Sequence, residues 1–257
     1  MEISFVKYQG TGNDFIMIDA REKTVNFSVD TIVKTCHRRF GIGADGLILI
    51  NNHSACDFEM DYYNADGSQS FCGNGSRCAQ AFAKQLGIID KESIFLAIDG
   101  MHMGKSVGAE FATKMGDVNQ IQKIGDDYFI HTGSPHFIKY VADINSIDVE
   151  KEGAAIRNSP AYKKEGTNVN FVSVAEDCLM VRTYERGVEA ETYSCGTGVT
   201  AVAISYLHQI NSSQNQVKIS TKGGDLLILL KRESDTNFKN IWLQGPAQEV
   251  YKGVINI

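Results

Sequence analysis

Hydrophobic positions along this chain recur at two different periods, and the change from one to the other marks out its elements. Short runs that alternate or stay apolar occur at ISFVKY, FIMID, LILI, FEMDYY, YFIHT, VNFVSV, LMVRTY, QVKIS, DLLILL and IWLQ, each of strand length. Apolar residues spaced for one helical face occupy about Asp30–Arg39, Asn74–Leu86, Val149–Asn158 and Thr197–Gln209. The pattern is that of a strand-rich α/β protein. Only three prolines and no low-complexity tract interrupt it, so a domain boundary has to be read from pattern instead of from a linker.

The pattern also repeats. TGNDFI (Thr11–Ile16) resembles TGSPHF (Thr132–Phe137), and YNADG followed by CGNG (Tyr63–Gly67, Cys72–Gly75) is echoed by YERG followed by CGTG (Tyr184–Gly187, Cys195–Gly198). The intervals agree: 59 positions from Asn13 to Cys72 and 61 from Ser134 to Cys195. Three matches in register argue for a duplicated fold whose halves each carry a turn, a strand, and a Cys-Gly-x-Gly that opens a helix. A ligand is then expected between the halves.

Composition narrows the partners. With 257 residues, 43% of them hydrophobic, the chain can bury a sizeable core as one large domain or two ordinary ones. Its net charge is −6, the isoelectric point is near 5.5, and lysines and arginines are scattered, so it lacks the electrostatic footprint of a nucleic-acid or anionic-membrane binder. The start MEISFVKYQG has no apolar run of leader length, and no later stretch approaches the roughly 20 apolar residues of a spanning helix, so the expected location is the cytoplasm. Cysteines stand at 36, 56, 72, 78, 178 and 195. In a reducing compartment most of them are expected as free thiols.

Two motifs lose their first reading on inspection. GIGADG (Gly41–Gly46) satisfies the dinucleotide pattern, but that pattern needs a strand before it and a helix after it, and here the order is reversed. It reads as a glycine-rich turn into a strand. Cys72 and Cys78 lie six apart and the histidines are scattered, so no metal site is expected. Cys36, Cys56, Cys78 and Cys178 sit in apolar, strand or mid-helix contexts and read as small buried hydrophobes.

Cys72 and Cys195 differ, because each stands just before a helix N-terminus. There the unpaired backbone N–H groups and the helix dipole favour a thiolate, and the flanking glycines let the backbone approach a bound carboxylate. Two matched thiols of this kind suit removal of a proton from an α-carbon by one and delivery to the opposite face by the other. Without an electron-sink cofactor, backbone donors must hold the carboxylate as it takes on enolate character. No lysine lies in an obvious pyridoxal context.

At these residues the sequence resembles the diaminopimelate epimerase family. The matching segments are GTGNDF, GIGADG, NADGS, CGNGSRC, GSPHF, TNVNF, YERGVEAETYSCGTG and the late GPA, in the family's order from about residue 10 to 247. The resemblance implies a cofactor-independent isomerase of lysine and peptidoglycan precursor synthesis, converting LL- to meso-diaminopimelate. It implies Cys72 and Cys195 as the acid/base pair, with His136 and Glu185 assisting proton transfer. It places the amides of Gly73, Asn74, Gly196 and Thr197 on the reacting carboxylate, and Asn13, Asn64, Asn168, Glu185 and Arg186 on the substrate, Arg186 and the asparagines toward its distal carboxylate. It further implies two similar α/β domains, each a curved, mainly antiparallel sheet around a central helix, with the active site in the cleft between them. The expected boundaries are 1–112, completed by a last strand at about 249–257, and 113–248. A homodimer is compatible with the family alone.

Three departures stand out: Ser134 where many members have asparagine, one additional residue in GVEAETYS before Cys195, and Gly46 where some members carry glutamine. Other readings are a proline or hydroxyproline racemase, a non-catalytic amino-acid-binding module, and a thiol-redox protein using Cys72 and Cys195.

Overall fold

The computed structural model describes residues 2–22 and 27–256. The chain divides into two compact units, Met1–Thr113 with Gly245–Ile257, and Lys114–Gln244. Ile257, the last position of the expected closing strand, lies outside the described residues.

In unit 1, β1 (Glu2–Gly10) and β2 (Asn13–Asp19) form an antiparallel hairpin over the two-residue turn Thr11–Gly12. Both turn residues have positive φ, 52° and 82°, which the tight hairpin connection demands and a threonine rarely supplies. The buried Thr11 hydroxyl donates to the Gly10 carbonyl at 2.8 Å and so supports the strained turn. Helix α1 (Val29–Cys36) is capped by Ser28 Oγ, which accepts from Thr31 N, and leads back to β3 (Gly46–Asn51), parallel to β2. Strand β4 (Phe58–Asn64) is antiparallel to β3, helix α2 (Gly73–Gln85) follows, and β5 (Glu92–Ala97) is parallel to β4. Antiparallel β6 (Gly100–Val107) and β7 (Glu110–Lys114) complete this run.

Unit 2 repeats the order. After β8 (Gln122–Ile124) come antiparallel β9 (Asp127–His131) and β10 (Pro135–Tyr140), then α3 (Val149–Arg157) and β11 (Asn168–Val174), which is parallel to β10. Strand β12 (Leu179–Glu185) is antiparallel to β11 and carries the short β13 (Ala190–Thr192). Helix α4 (Gly196–Gln209) precedes β14 (Gln216–Thr221), parallel to β12, and then antiparallel β15 (Gly224–Arg232) and β16 (Phe238–Gly245). The final strand, β17 (Gln248–Asn256), pairs antiparallel with β1 in unit 1. Each unit is thus mainly antiparallel with two parallel pairs, and even the register repeats: Phe15 pairs with Gly46 in one, His136 with Asn168 in the other.

Burial separates two kinds of helix. In α1 and α3 only one face is covered, whereas α2 is buried on every face from Gly73 to Ala83 and α4 is buried at most positions. A helix covered all round needs a sheet wrapped about it. The small Ala79 and Ala83 of α2 let Phe15, Phe58 and Phe95 close on it, and in unit 2 Val199, Val202 and Leu207 of α4 pack against strand residues such as Ile138, Val172 and Ile228. Each of these large side chains contributes roughly 1.5–3 kcal/mol by leaving water. The same packing fixes the first residues of α2 and α4. No helix among the described residues is long and apolar enough to cross a membrane.

Candidate active site

Cys72 and Cys195 are the N-cap residues of α2 and α4, with nearly matching extended backbones (φ −129°, ψ 113° and φ −118°, ψ 110°). The first helical hydrogen bonds run from Ser76 N to Cys72 O and from Val199 N to Cys195 O. The amides of Gly73, Asn74, Gly196 and Thr197 therefore stand ahead of each helix's internal ladder, where a helix start binds anions.

Around Cys72 the thiol is half-buried. Its Sγ accepts from Gly75 N at 3.3 Å and lies 3.5 Å from Asn13 Oδ1, to which it can donate. Asn13 comes from the start of β2, beyond the strained turn. A network holds it: Asn13 Nδ2 donates to Asp45, and Asp14 is paired by the buried Lys7 at 2.7 Å and by Arg38 at 2.8 Å. Burial alone would raise the Asp14 carboxyl, but hydrogen bonds from Arg38 and Lys7 overcome it and hold the group down at about 2. The buried Asn74 donates through Nδ2 to Asn13 Oδ1 at 3.4 Å and accepts through Oδ1 from Arg77 at 3.0 Å.

Around Cys195 the thiol is buried and makes no side-chain cap; instead Sγ lies 3.5 Å from Thr197 Oγ1. His136 meets that same hydroxyl, with Nε2 at 2.9 Å from Thr197 Oγ1. The imidazole is fully buried, and this pushes it down to about 3, with His131 and Arg186 adding to the effect. It is a neutral ring. By contrast, burial pushes the thiols of Cys36 and Cys78 up to about 11 and 12, which suits inert core residues.

The remaining expected residues fall into two groups. In unit 1, Asn64 at the end of β4 organises the loop toward Cys72: its Nδ2 donates to Ser68 O and to the hydroxyls of Ser68 and Ser70. In unit 2, Asn168 donates to Ser134 Oγ at 2.7 Å and to Pro135 O, and its Oδ1 accepts from Arg186 N at 2.9 Å. Glu185 ends β12 directly before Arg186. The Arg186 side chain is exposed, donates to the Glu165 carbonyl, and meets no carboxylate among the described residues.

Each departure from the family pattern has a physical counterpart. Ser134 anchors Asn168, so a shorter side chain still takes part in this corner. A Cβ on Gly46 would come within 2.4 Å of the Tyr62 ring and 2.5 Å of the Tyr63 carbonyl, so this backbone excludes a larger residue there. The longer segment before Cys195 is pinned through Glu189, which adopts φ 57° and accepts from Arg157, Gly187 N and the Tyr184 hydroxyl.

Sequence reasoning missed three contributors. Arg77 is entirely buried in α2, reaching Thr11 Oγ1, Asn74 Oδ1 and Pro246 O, with no hydrogen-bonded carboxylate among the described residues. Its spacing of three from Asn74 within CGNGSRC, which stacks them on one helical face, was the available signal. Asp45, inside the discarded GIGADG motif, and Asn170, in TNVNF, had no such signal. Among the described residues no group of three or more histidine, cysteine, aspartate or glutamate side chains is arranged to hold a metal ion.

Comparisons with known proteins cover nearly the whole chain. The family model for diaminopimelate epimerase matches residues 5–120 and 128–250. A diaminopimelate epimerase of Flavobacterium psychrophilum is 46% identical, covering 97% of this chain and 98% of its own length. One from Chlorobaculum tepidum is 39% identical over 96% and 99%. Among solved structures, a PhzF-family phenazine biosynthesis protein of Bacillus anthracis shares the fold with a TM-score of 0.81 at 12% identity, covering all of both chains. A hydroxyproline epimerase of Agrobacterium vitis does so with a TM-score of 0.70 at 11% identity, over 99% and 92%. With its fold, its paired cysteine caps and full-length relatives in agreement, the chain belongs to the diaminopimelate epimerase family.

Proposed function

We propose that this protein interconverts LL- and meso-diaminopimelate without an organic cofactor, by removing the α-proton with one cysteine and returning a proton to the opposite face from the other. The observation that carries the reading is the pair of cysteine N-caps, Cys72 and Cys195, at equivalent points of a duplicated topology. On this reading both thiols address one α-carbon. The C–H electron pair passes into the carboxylate, whose growing negative charge is met by the amides of Gly73 and Asn74 and of Gly196 and Thr197. Donors fixed in place before the reaction cost little reorganisation as that charge develops.

Glu185 and Arg186 supply the recognition of the far end of the substrate, a glutamate suiting its ammonium group and a planar guanidinium its carboxylate. A clamp on the distal centre explains how only one end of a nearly symmetric molecule reacts. A monocarboxylate has no use for it, which sets this reading ahead of a proline or hydroxyproline racemase.

The test is incubation of the reduced protein with LL-diaminopimelate in deuterated water, with no added cofactor, following deuterium at the α-carbon and the meso product together. Exchange with inversion is expected. Binding without exchange would replace this reading with that of a non-catalytic amino-acid-binding module.

A further inference from the structure

The duplication exposes a difference between the halves. In unit 1 the positions over the start of α2 are apolar: a Cβ on Gly75 would touch Ile48 at 3.2 Å and Phe15 at 3.4 Å. The register makes His136 the counterpart of Phe15 and Asn170 the counterpart of Ile48. Unit 2 therefore buries an imidazole and a carboxamide, both with no exposed surface, where unit 1 buries a phenyl ring and an isoleucine. Burying such groups is unfavourable unless each hydrogen bond is made. Here they are made in one continuous chain that ends at Cys195.

The chain has a direction. Asn170 Nδ2 donates to the Phe137 carbonyl at 3.1 Å, and Asn170 Oδ1 accepts from the Thr183 hydroxyl at 3.0 Å. A backbone carbonyl only accepts, so the amide cannot be turned round, and the nitrogen must be what faces His136 Nδ1 at 3.2 Å. That ring nitrogen is therefore the acceptor, and the ring hydrogen sits on Nε2, directed at Thr197 Oγ1. The hydroxyl has its own hydrogen left for Cys195 Sγ. Gly198 is part of the arrangement, because a Cβ there would come within 2.4 Å of Asn170 Oδ1.

We propose that Thr197, not His136, is the hydrogen-bonding partner that switches with the charge on Cys195, and that Asn170 is a positioning residue which locks His136 as a fixed donor to Thr197 instead of a base. When Cys195 is a thiolate, the Thr197 hydroxyl donates to sulfur. When the sulfur lone pair takes the α-proton, the C–H electron pair stays with the substrate, and the new S–H turns to the threonine oxygen while its hydroxyl hydrogen rotates away. No proton reaches His136, whose only ring lone pair is held by Asn170. This deepens the two-thiol reading and rests on it for the catalytic use of Cys195, but neither readout below depends on turnover of diaminopimelate.

The first readout uses the unaltered protein with nitrogen-15-labelled histidine, the His136 signals being assigned by their loss in His136→Gln. Long-range proton–nitrogen spectra should show a neutral Nε2–H tautomer between about pH 5 and 8, the range in which an ordinary histidine titrates. An Nδ1–H tautomer, or titration within that range, overturns the proposal. The second follows alkylation of Cys195 by iodoacetamide against pH in Cys72→Ser protein, read peptide by peptide. Thr197→Val, nearly the same shape without the hydroxyl, should move the midpoint up by about one unit, and Thr197→Ser should restore it. A midpoint unmoved by valine overturns the assignment of Thr197.

Discussion

Asn13 Nδ2 lies 2.7 Å from Asp45 Oδ2, and this contact decides what Asn13 offers Cys72. A carboxylate only accepts, so the amide nitrogen is turned toward Asp45 and the amide oxygen toward Cys72 Sγ and Asn74 Nδ2. Asp45 is itself held by Arg38 at 2.6 Å. Removing the carboxylate in Asp45→Ala frees the amide to flip, which would set two N–H groups against a thiol that needs an acceptor. We expect kcat to fall roughly tenfold to a hundredfold, the scale of a misplaced catalytic contact, with little change in KM. Steady-state kinetics decide it, and an unchanged kcat would remove Asp45 from the site.

The neighbouring Asp14 predicts an acid limit to stability. Its folded-state value, about 2, lies below the ordinary 3.8, so the folded form holds its proton less tightly than the unfolded chain. The stabilisation is complete above the unfolded value and fades as pH falls toward about 2. Lys7 is buried but Arg38 is open to solvent, which reduces the worth of its half of the pair, leaving on the order of 1–2 kcal/mol at neutral pH. Urea midpoints should therefore place Asp14→Asn below the wild type at neutral pH and bring the two together near pH 2. Parallel curves over that whole range would show that the network does not stabilise the fold.

Arg77 separates stability from activity. A guanidinium with no exposed surface and no hydrogen-bonded carboxylate among the described residues is costly to bury, and burial indeed lowers its hold on the proton, while the thiol groups of Cys78 and Cys72 and the Glu110 carboxylate act in the other direction. Its clear use is to fix the Asn74 carboxamide and the Thr11 hydroxyl beside Cys72. Arg77→Met, which keeps the length and removes the charge, should leave the thermal midpoint unchanged or raised while kcat drops about tenfold or more. A variant that is both less stable and fully active would make Arg77 a structural residue.

These cases show what could and could not be read from sequence. All four α-helices were legible, because their apolar positions repeat at helical spacing, and the ten apolar runs all became strands. The strands that the apolar pattern left unread were β5 to β8, β10 and β13, while β17 was expected only through the family resemblance, at about 249–257, and runs Gln248–Asn256. Several are short or broken by glycine and polar residues, as in GMHMGKSV, and β17 is exposed at most positions, so it carries no alternation of burial. The duplication and the cysteine caps carried local signals, whereas Arg186 came only through the family resemblance. Asp45 and Asn170 did not, because their action depends on which neighbour turns an amide, and that is set by pairing strands far apart in sequence. His136 was expected only through the resemblance, as an assistant to proton transfer at the cysteines, and the Thr197 hydroxyl between it and Cys195 carried no signal.

Arg186 gives the sharpest separation between the substrate readings. Its backbone N–H is fixed by Asn168, its side chain rests on the Glu165 carbonyl, and no carboxylate within the described residues neutralises it. A guanidinium placed this way is ready for a carboxylate from outside the chain. A hydrogen bond to a charged group is worth about 1.5–3 kcal/mol, so Arg186→Met should raise KM for LL-diaminopimelate roughly 10- to 100-fold, with a smaller change in kcat. The same substitution should leave any trace turnover of proline or hydroxyproline untouched, since a single carboxylate is held at the helix starts. Equal losses on both kinds of substrate would mean that Arg186 supports the fold of this corner, and an unchanged KM for LL-diaminopimelate would take the distal clamp away from it.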